Sequence, residues 1–391
     1  MKKIYKGILV ISTLVIMICI INILGNKFVH TKYSDFDSCD AQMFEHLSRI
    51  YNTFSNQYEN LWSSNYQIND KPIILIRTKK DKGIIRKHAY AINVKGIENS
   101  IFAKKVDVPK DFNLPDVYRI SNLDPILYST FMPSNFGVLD IDKNDTFYFK
   151  YHPKMMENPD LYFDFDSFFL HESFHTYKQK YWTYDKDDGE YIENYPKNKE
   201  YYALVGLEFK LLDKCIESKN VDNVKKYLEQ LTTIKTYKYK KWPQLLAETN
   251  TEAIEGTARY IEYKYNNLIG GNLKIIPVSE NPYYVTFSYV FNCVAEDKVN
   301  SSYLKRSAKY ETGAALGLIM DKADINWKED MEDGYNKDGK TQYEILSKYF
   351  NISPDNIAID IVKEIQNENS YNELLNKGQA IVDIINKNSN K

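Results

Sequence analysis

Apolar residues are spread unevenly along the chain. The first feature is a 17-residue apolar run, Ile8 to Leu24 (ILVISTLVIMICIINIL), relieved only by Ser12, Thr13 and Asn22. As a helix it reaches ~26 Å at ~1.5 Å per residue, slightly under the ~30 Å hydrocarbon core of a bilayer. After a polar connector, residues 36–58 carry apolar side chains at helical spacing. Short β-rich runs follow at 71–78 (KPIILIRT), 87–94 (KHAYAINV), 136–141 (FGVLDI) and 146–151 (TFYFKY). Separated by Asp, Lys, Asn and Gly, they predict a small sheet. From Asp166 onward the period is helical, with helices predicted over 167–182, 199–217, 221–237, 243–265, 302–322, 355–366 and 370–387. Gly270-Gly271 is expected to stop one of these and Ser353-Pro354-Asp355 to start another. The expected fold class is α+β. Residues 1–25 form a signal anchor or signal peptide, 26–165 a small β-containing N-terminal lobe, and 166–391 a mainly helical lobe.

Composition narrows the function. Of 391 residues, 43% are hydrophobic and 27% charged, which excludes a disordered chain and a multi-pass membrane protein. Lys+Arg 51 against Asp+Glu 53 leaves a net charge of −2 without a long basic stretch, so nothing recruits nucleic acid by bulk electrostatics. Lys2, Lys3 and Lys6 precede the apolar run, which holds the start in the cytoplasm and sends the rest across. A secretory signal has a shorter apolar stretch and a small-x-small cleavage site, and only Ile23-Leu24-Gly25 approaches one. The expectation is an uncleaved anchor with the remaining chain outside the cytoplasmic membrane, or a secreted protein if the segment is cleaved. Cys19 lies in the apolar run, which leaves Cys39, Cys215 and Cys293. At most one disulfide can form among those three within a chain, and no CxxC zinc pattern exists, so buried, unreactive thiols are expected.

Residues 171–175 read His-Glu-Ser-Phe-His, the HExxH pattern. Histidines at i and i+4 lie ~40° apart around a helix and one turn apart along it, so both rings reach one ion. The Glu beside the first His then faces a metal-bound water. Zinc lowers the pKa of such a water and polarises a carbonyl while the carboxylate takes the proton. Asp166 or Ser167 is expected to cap this helix, with Phe168, Phe169, Leu170, Phe174 and Tyr177 supplying its apolar packing. The other histidines, His30, His46, His88 and His152, all lie upstream. The third ligand is therefore expected to be a carboxylate from a second helix. The best such helix is Leu245–Tyr265 (LLAETNTEAIEGTARYIEYKY), where Glu248, Glu252 and Glu255 share one face at i, i+4, i+7 spacing. Gly256 inside it costs ~1 kcal/mol relative to Ala unless close packing needs it, and it is expected to let this helix approach the HExxH helix.

At this point the chain resembles a family. EGTARYIEY (Glu255–Tyr263) is similar to the EGFAxYxEY segment of the aminopeptidase N and leukotriene hydrolase family of gluzincin metallopeptidases, and KYETGAAL (Lys309–Leu316) is similar to that family's PYEKGxxLL segment. The resemblance implies a zincin-like (thermolysin-like) catalytic domain with one Zn2+ per chain. It implies that His171, His175 and Glu255 are the ligands, that Glu172 activates water, and that Tyr310 donates a hydrogen bond to the oxyanion. Thr251-Glu252-Ala253-Ile254 also resembles the NEAxSD ligand helix of thermolysin-like enzymes, which keeps Glu252 as an alternative ligand.

The chain departs from the family in three ways. His175 and Glu255 lie 80 positions apart, Thr312 stands where the family has Lys, and no Gly-x-Met-Glu-Asn signature precedes His171. The family uses that signature to hold a free amino terminus, so its absence leans the expectation toward endopeptidase over aminopeptidase. The expected function is hydrolysis of peptide bonds in a peptide or protein substrate, outside the membrane. The alternative is a catalytically inactive cell-surface binding or scaffold protein on a gluzincin fold.

Overall fold

The computed structural model describes all residues except 1, 28, 30, 64–65, 123, 158–163, 186–188, 190, 279–280, 282, 335–336 and 390–391. His30 thus lies outside the described residues. The protein is mixed α+β with a six-stranded sheet on its N-terminal side, and the chain divides into two compact units, Met1–Tyr177 and Lys178–Lys391.

The first unit opens with α1 (Lys2–Lys27), whose segment Ile4–Ile21 has a mean hydropathy of 2.5 and no buried share. By length and composition it can cross a membrane. Helix α2 (Ser38–Leu61) starts where the Asp37 carboxylate accepts the Asp40 N–H at 3.0 Å. The strands are β1 (Ile73–Thr78), β2 (Arg86–Ile92), β3 (Ala103–Lys105), β4 (Val117–Ile120), β5 (Phe136–Ile141) and β6 (Asn144–Tyr151), in the order β3-β4-β2-β1-β6-β5. Among these strands, only β1 and β6 pair in parallel. β1 is buried along its whole length, which is why its sequence is an apolar run rather than an alternation. Ile74, Ile76, Ala89, Ala91, Ile120 and Tyr148 pack together in one buried cluster. From the other side of β6, Phe147 and Phe149 meet Phe169 of α4 (Phe165–Tyr177) at ring separations of 5.8 and 5.6 Å. Strands β3 and β4 carry no apolar alternation long enough to announce them, since they have three and four residues. Between β6 and α4 lies the short helix α3 (Pro153–Glu157).

The second unit is helical: α5 (Lys199–Glu217), α6 (Val221–Lys241), α7 (Glu248–Leu268), α8 (Phe287–Ala295), α9 (Ser307–Lys322), α10 (Lys328–Met331), α11 (Gln342–Tyr349), α12 (Ile359–Glu368) and α13 (Tyr371–Ser389). Two elements differ from their predicted bounds for visible reasons. The helix expected over 167–182 ends at Tyr177, because beyond it Thr183 Oγ1 bonds the Asp333 carboxylate at 2.7 Å and the Tyr184 hydroxyl bonds the Met331 carbonyl at 2.9 Å. The helix expected from 355 begins at Ile359, because Ser353 and Asn356 first close a turn on each other's side chains at 2.7 and 3.3 Å.

Gly256 serves a different neighbour from the one expected. A Cβ there would lie 2.5 Å from Gly313 Cα and 3.1 Å from Ala314 N, both in α9. The close approach is therefore between α7 and α9, backbone against backbone at a reciprocal pair of glycines. Helix propensity alone predicts that Gly256→Ala stabilises the protein by ~1 kcal/mol. The packing predicts the opposite, because neither backbone can yield without parting the helices: a loss of about 1–3 kcal/mol in urea unfolding. A more stable variant would show that the two helices do not meet as described.

Candidate metal centre

Helix α4 is fixed at both ends. The Asp164 carboxylate accepts the Ser167 N–H at 3.1 Å, so Asp164 is the cap, in place of the expected Asp166 or Ser167. Asp166 instead binds α2, with His46 Nδ1 at 2.7 Å and an Arg49 guanidinium nitrogen at 3.6 Å. At the other end the Tyr177 hydroxyl donates to the Pro72 carbonyl and accepts the Phe147 N–H at 2.8 Å. Between these ends Phe165, Phe168 and Phe169 pack on β6, and Phe174 lies edge-on to Trp62 and Tyr66. Ser173 and Phe174, the two residues inside the HExxH spacing, are fully buried.

The i, i+4 spacing brings the two Nε2 atoms of His171 and His175 to 3.1 Å of each other. His171 is buried and His175 half-buried. Glu172 is half-buried and lines a cavity of about 590 Å³ with Asp81, Asn135, Phe136, His152 and Phe168, among others. That volume is in the range of a ligand pocket.

All three acids of α7 are buried: Glu248, Glu252 and Glu255. The first two belong to an ion-pair network with α5, α6 and α9. Glu248 pairs with Lys238 at 3.0 Å and Lys309 at 2.9 Å, and Glu252 pairs with Lys235 at 2.7 Å. Lys238 also meets Glu208 at 2.9 Å, and the Thr312 hydroxyl donates to Glu252 at 2.8 Å. Three buried ammonium groups thus face Glu208, Glu248 and Glu252. Burial alone would raise the Glu248 carboxyl, but the charges of Lys238 and Lys309 outweigh it and hold the group down to about 2. Glu252 is lowered in the same way: burial raises it, and the charges of Lys235 and Lys309 with hydrogen bonds from Lys235 and Thr312 win. Its two carboxylate oxygens are engaged by the Lys235 ammonium, so Glu252 serves structure here and not the ligand role considered for it.

Glu255 is placed differently. The ligand atoms of His171, His175 and Glu255 all lie within 4.8 Å of one another, a group that could hold a metal ion. Tyr310 is on α9, half-buried, and its hydroxyl accepts a hydrogen bond from the Arg306 guanidinium at 3.1 Å. An accepted bond of this kind polarises the phenol and strengthens it as a donor.

The two sequence segments around Glu255 and Tyr310 are packed against each other along α7 and α9. Besides Gly256 with Gly313 and Glu252 with Thr312, Glu311 accepts the Tyr263 hydroxyl at 2.6 Å and the Ile276 N–H at 3.1 Å, and meets Arg259 Nε at 3.3 Å. Sequence reasoning missed Lys235, Lys238, Lys309, Arg259 and Glu311. A signal existed for two of them, because Lys235 and Lys238 lie at i, i+3 on a helix whose neighbour carries acids at i, i+4.

The four cysteines are free thiols, with Cys39 and Cys215 buried and Cys19 and Cys293 half-buried. Burial, the largest influence, pushes both the Cys39 and the Cys215 thiol up to about 12, which makes them unreactive near neutral pH.

The lysine network predicts an acid-side loss of stability. A carboxyl lowered from 4.5 to about 2 contributes stability above the unfolded value and loses it as pH falls from 4.5 toward 2. For Glu248 this amounts to about 3 kcal/mol. Carbon-13 titration should find the Glu248 carboxylate still ionised at pH 3, and an ordinary midpoint near 4.5 would contradict the network.

No protein-family model, curated protein or solved structure matches this chain.

Proposed function

We propose that the chain is a zinc-dependent metallopeptidase of gluzincin type on a zincin-like fold, held at the outer face of the cytoplasmic membrane by α1. The observation that carries this reading is the convergence of His171, His175 and Glu255 ligand atoms, with Glu172 beside the first His on a cavity. Two imidazole nitrogens bound to one tetrahedral zinc at ~2.0–2.1 Å stand ~3.3 Å apart, and the 3.1 Å between His171 and His175 fits that spacing. Two neutral imidazoles and one carboxylate suit zinc in a site that keeps a net positive charge.

When bound, the zinc supplies Lewis acidity, polarising the substrate carbonyl and making water acidic enough to be deprotonated. The chain's own residues do the rest. Glu172 takes the proton as the water oxygen bonds to the carbonyl carbon, and then delivers it to the amide nitrogen as the C–N bond breaks. Tyr310 donates a hydrogen bond to the oxygen on which negative charge develops.

A peptide substrate is supported by the sheet. Strand β5 is an edge strand that pairs with β6 alone among the described strands, and its first residue, Phe136, lines the cavity together with Glu172. An open strand edge offers main-chain hydrogen bonds to an extended peptide regardless of its sequence. The membrane placement rests on α1, whose apolar segment has no buried share.

The full-length protein in detergent should carry about one zinc by mass spectrometry, and Glu255→Ala should lose it. Glu172→Gln should keep the zinc and lose ~10²–10⁴-fold or more in kcat/KM on casein peptides. Full activity in Glu172→Gln would overturn the mechanism. For Tyr310→Phe the expected result is retained zinc and kcat reduced ~10²–10³-fold, and an unchanged kcat would remove Tyr310 from the oxyanion role.

A further inference from the structure

The cavity that Glu172 lines contains a buried polar side chain that the chemistry above does not use. His152 follows the last residue of β6, and its backbone is held on both sides. Pro153 restricts it to extended geometry, and its carbonyl accepts the Met155 N–H at 3.1 Å. The side chain is 6% exposed and faces the same cavity as Glu172. Among the described residues its imidazole makes no hydrogen bond.

Its neighbours on the polar wall are already satisfied. The buried Asn135 amide donates to the Asp81 carboxylate at 2.5 Å and accepts the Lys82 N–H at 2.6 Å. That latch ties the turn 79–83 to the residue preceding β5. It is a fixed wall, whereas the imidazole of His152 borders the cavity, where a bound ligand can reach its nitrogens.

We infer that His152 is a substrate-contacting residue, hydrogen-bonding the main chain of a peptide bound in the Glu172 cavity. The inference rests on the peptide-binding part of the function proposed above. It does not depend on turnover. The charged groups that act on His152 are Asp81, Arg77 and Lys154. Burial is the largest influence and lowers its pKa, Asp81 raises it, and Arg77 and Lys154 lower it further. The ring is therefore neutral near pH 7, with one nitrogen donating and the other accepting. A neutral ring with both capacities matches a peptide group, which offers one N–H and one C=O. The cavity is also lined by Pro133, Phe136, Met155 and Phe168, whose apolar surface suits a substrate side chain. Polar and apolar lining groups together give the cavity a means to orient an extended peptide.

The test compares His152→Phe, which keeps a ring and removes both polar atoms, with His152→Gln, which keeps a donor and an acceptor. Each is made in the full-length chain in detergent, both alone and combined with Glu172→Gln. The probe is a tryptic digest of β-casein. Retention of its peptides by the Glu172→Gln protein is read by equilibrium dialysis and mass spectrometry. The expected result is that Glu172→Gln retains peptides, that adding His152→Phe lowers retention at least tenfold, and that His152→Gln recovers most of it. Thermal unfolding and zinc content should match the parent in both variants. Unchanged retention in His152→Phe overturns the inference, as does a digest from which Glu172→Gln retains nothing. A fall in retention accompanied by an equal loss of thermal stability in both His152 variants also overturns it, since the residue would then be a structural one. If peptides bind through His152 but the wild-type protein cleaves none of them, the peptidase reading fails and the contact stands.

Discussion

The second unit is organised around the burial of carboxylates on one face of α7. Glu248 and Glu252 have essentially no exposure, and a lone carboxylate in that position would either protonate or unfold the helix packing. Lys235 and Lys238 from α6 and Lys309 from α9 remove that cost by direct pairing. Such pairs add little net stability over an apolar core, because desolvation consumes most of the Coulomb gain. What they do impose is geometry. The lysines of α6 reach the α7 carboxylates only where α7 stands at one height and one rotation beside them. Gly256 and Gly313 add a second constraint, holding α7 and α9 closer than any side chain would permit. Rotation and spacing of α7 are therefore set by independent contacts.

A comparable economy of means positions α4 in the first unit. Its sequence, FDSFFLHESFHTY, mixes aromatic and polar residues, yet nine of its thirteen residues are buried, as befits a helix packed on more than one side. The aromatic residues pack on β6 and on the end of α2, and polar contacts anchor the two ends of the helix. Glu172 and His175 are consequently the polar side chains in the middle of α4 that retain partial exposure. A helix packed this closely leaves little freedom in where these groups point. That fixity suits the general-base and ligand roles proposed for them.

The sequence carried the long elements and the chemistry-bearing motif well, for physical reasons that can be traced. Helices such as 199–217 contain several turns of periodic apolar positions, and the HExxH spacing is a local property of one helix. Strand β5 was also legible, having a β-rich run with turn residues at both ends. Less legible were elements defined by distant partners. Strands β3 and β4 are strands only because they pair with each other and β2, and the end of the HExxH helix depends on residues more than a hundred positions away. The role of Gly256 shows the same limit. A glycine in a helix announces a close approach, but nothing local says which helix approaches.

The three acids of α7 show most directly how a shared face is divided. From spacing alone Glu248, Glu252 and Glu255 are equivalent members of one stripe, and a solvated surface would have treated them alike. Burial breaks the equivalence, because each carboxylate must then find its own compensating charge. The lysines of α6, three residues apart, reach Glu248 and Glu252 at one end of the stripe, with Lys309 completing the balance. Glu255, one turn further on, is followed by the glycine contact with α9, where two backbones meet and no lysine stem can pass between them. A carboxylate grouped with two imidazoles fits a divalent ion better than an ammonium. Thus the lysine pairs neutralise the first part of the acidic face, while the glycine pair fixes how closely α9 meets the helix just beyond it.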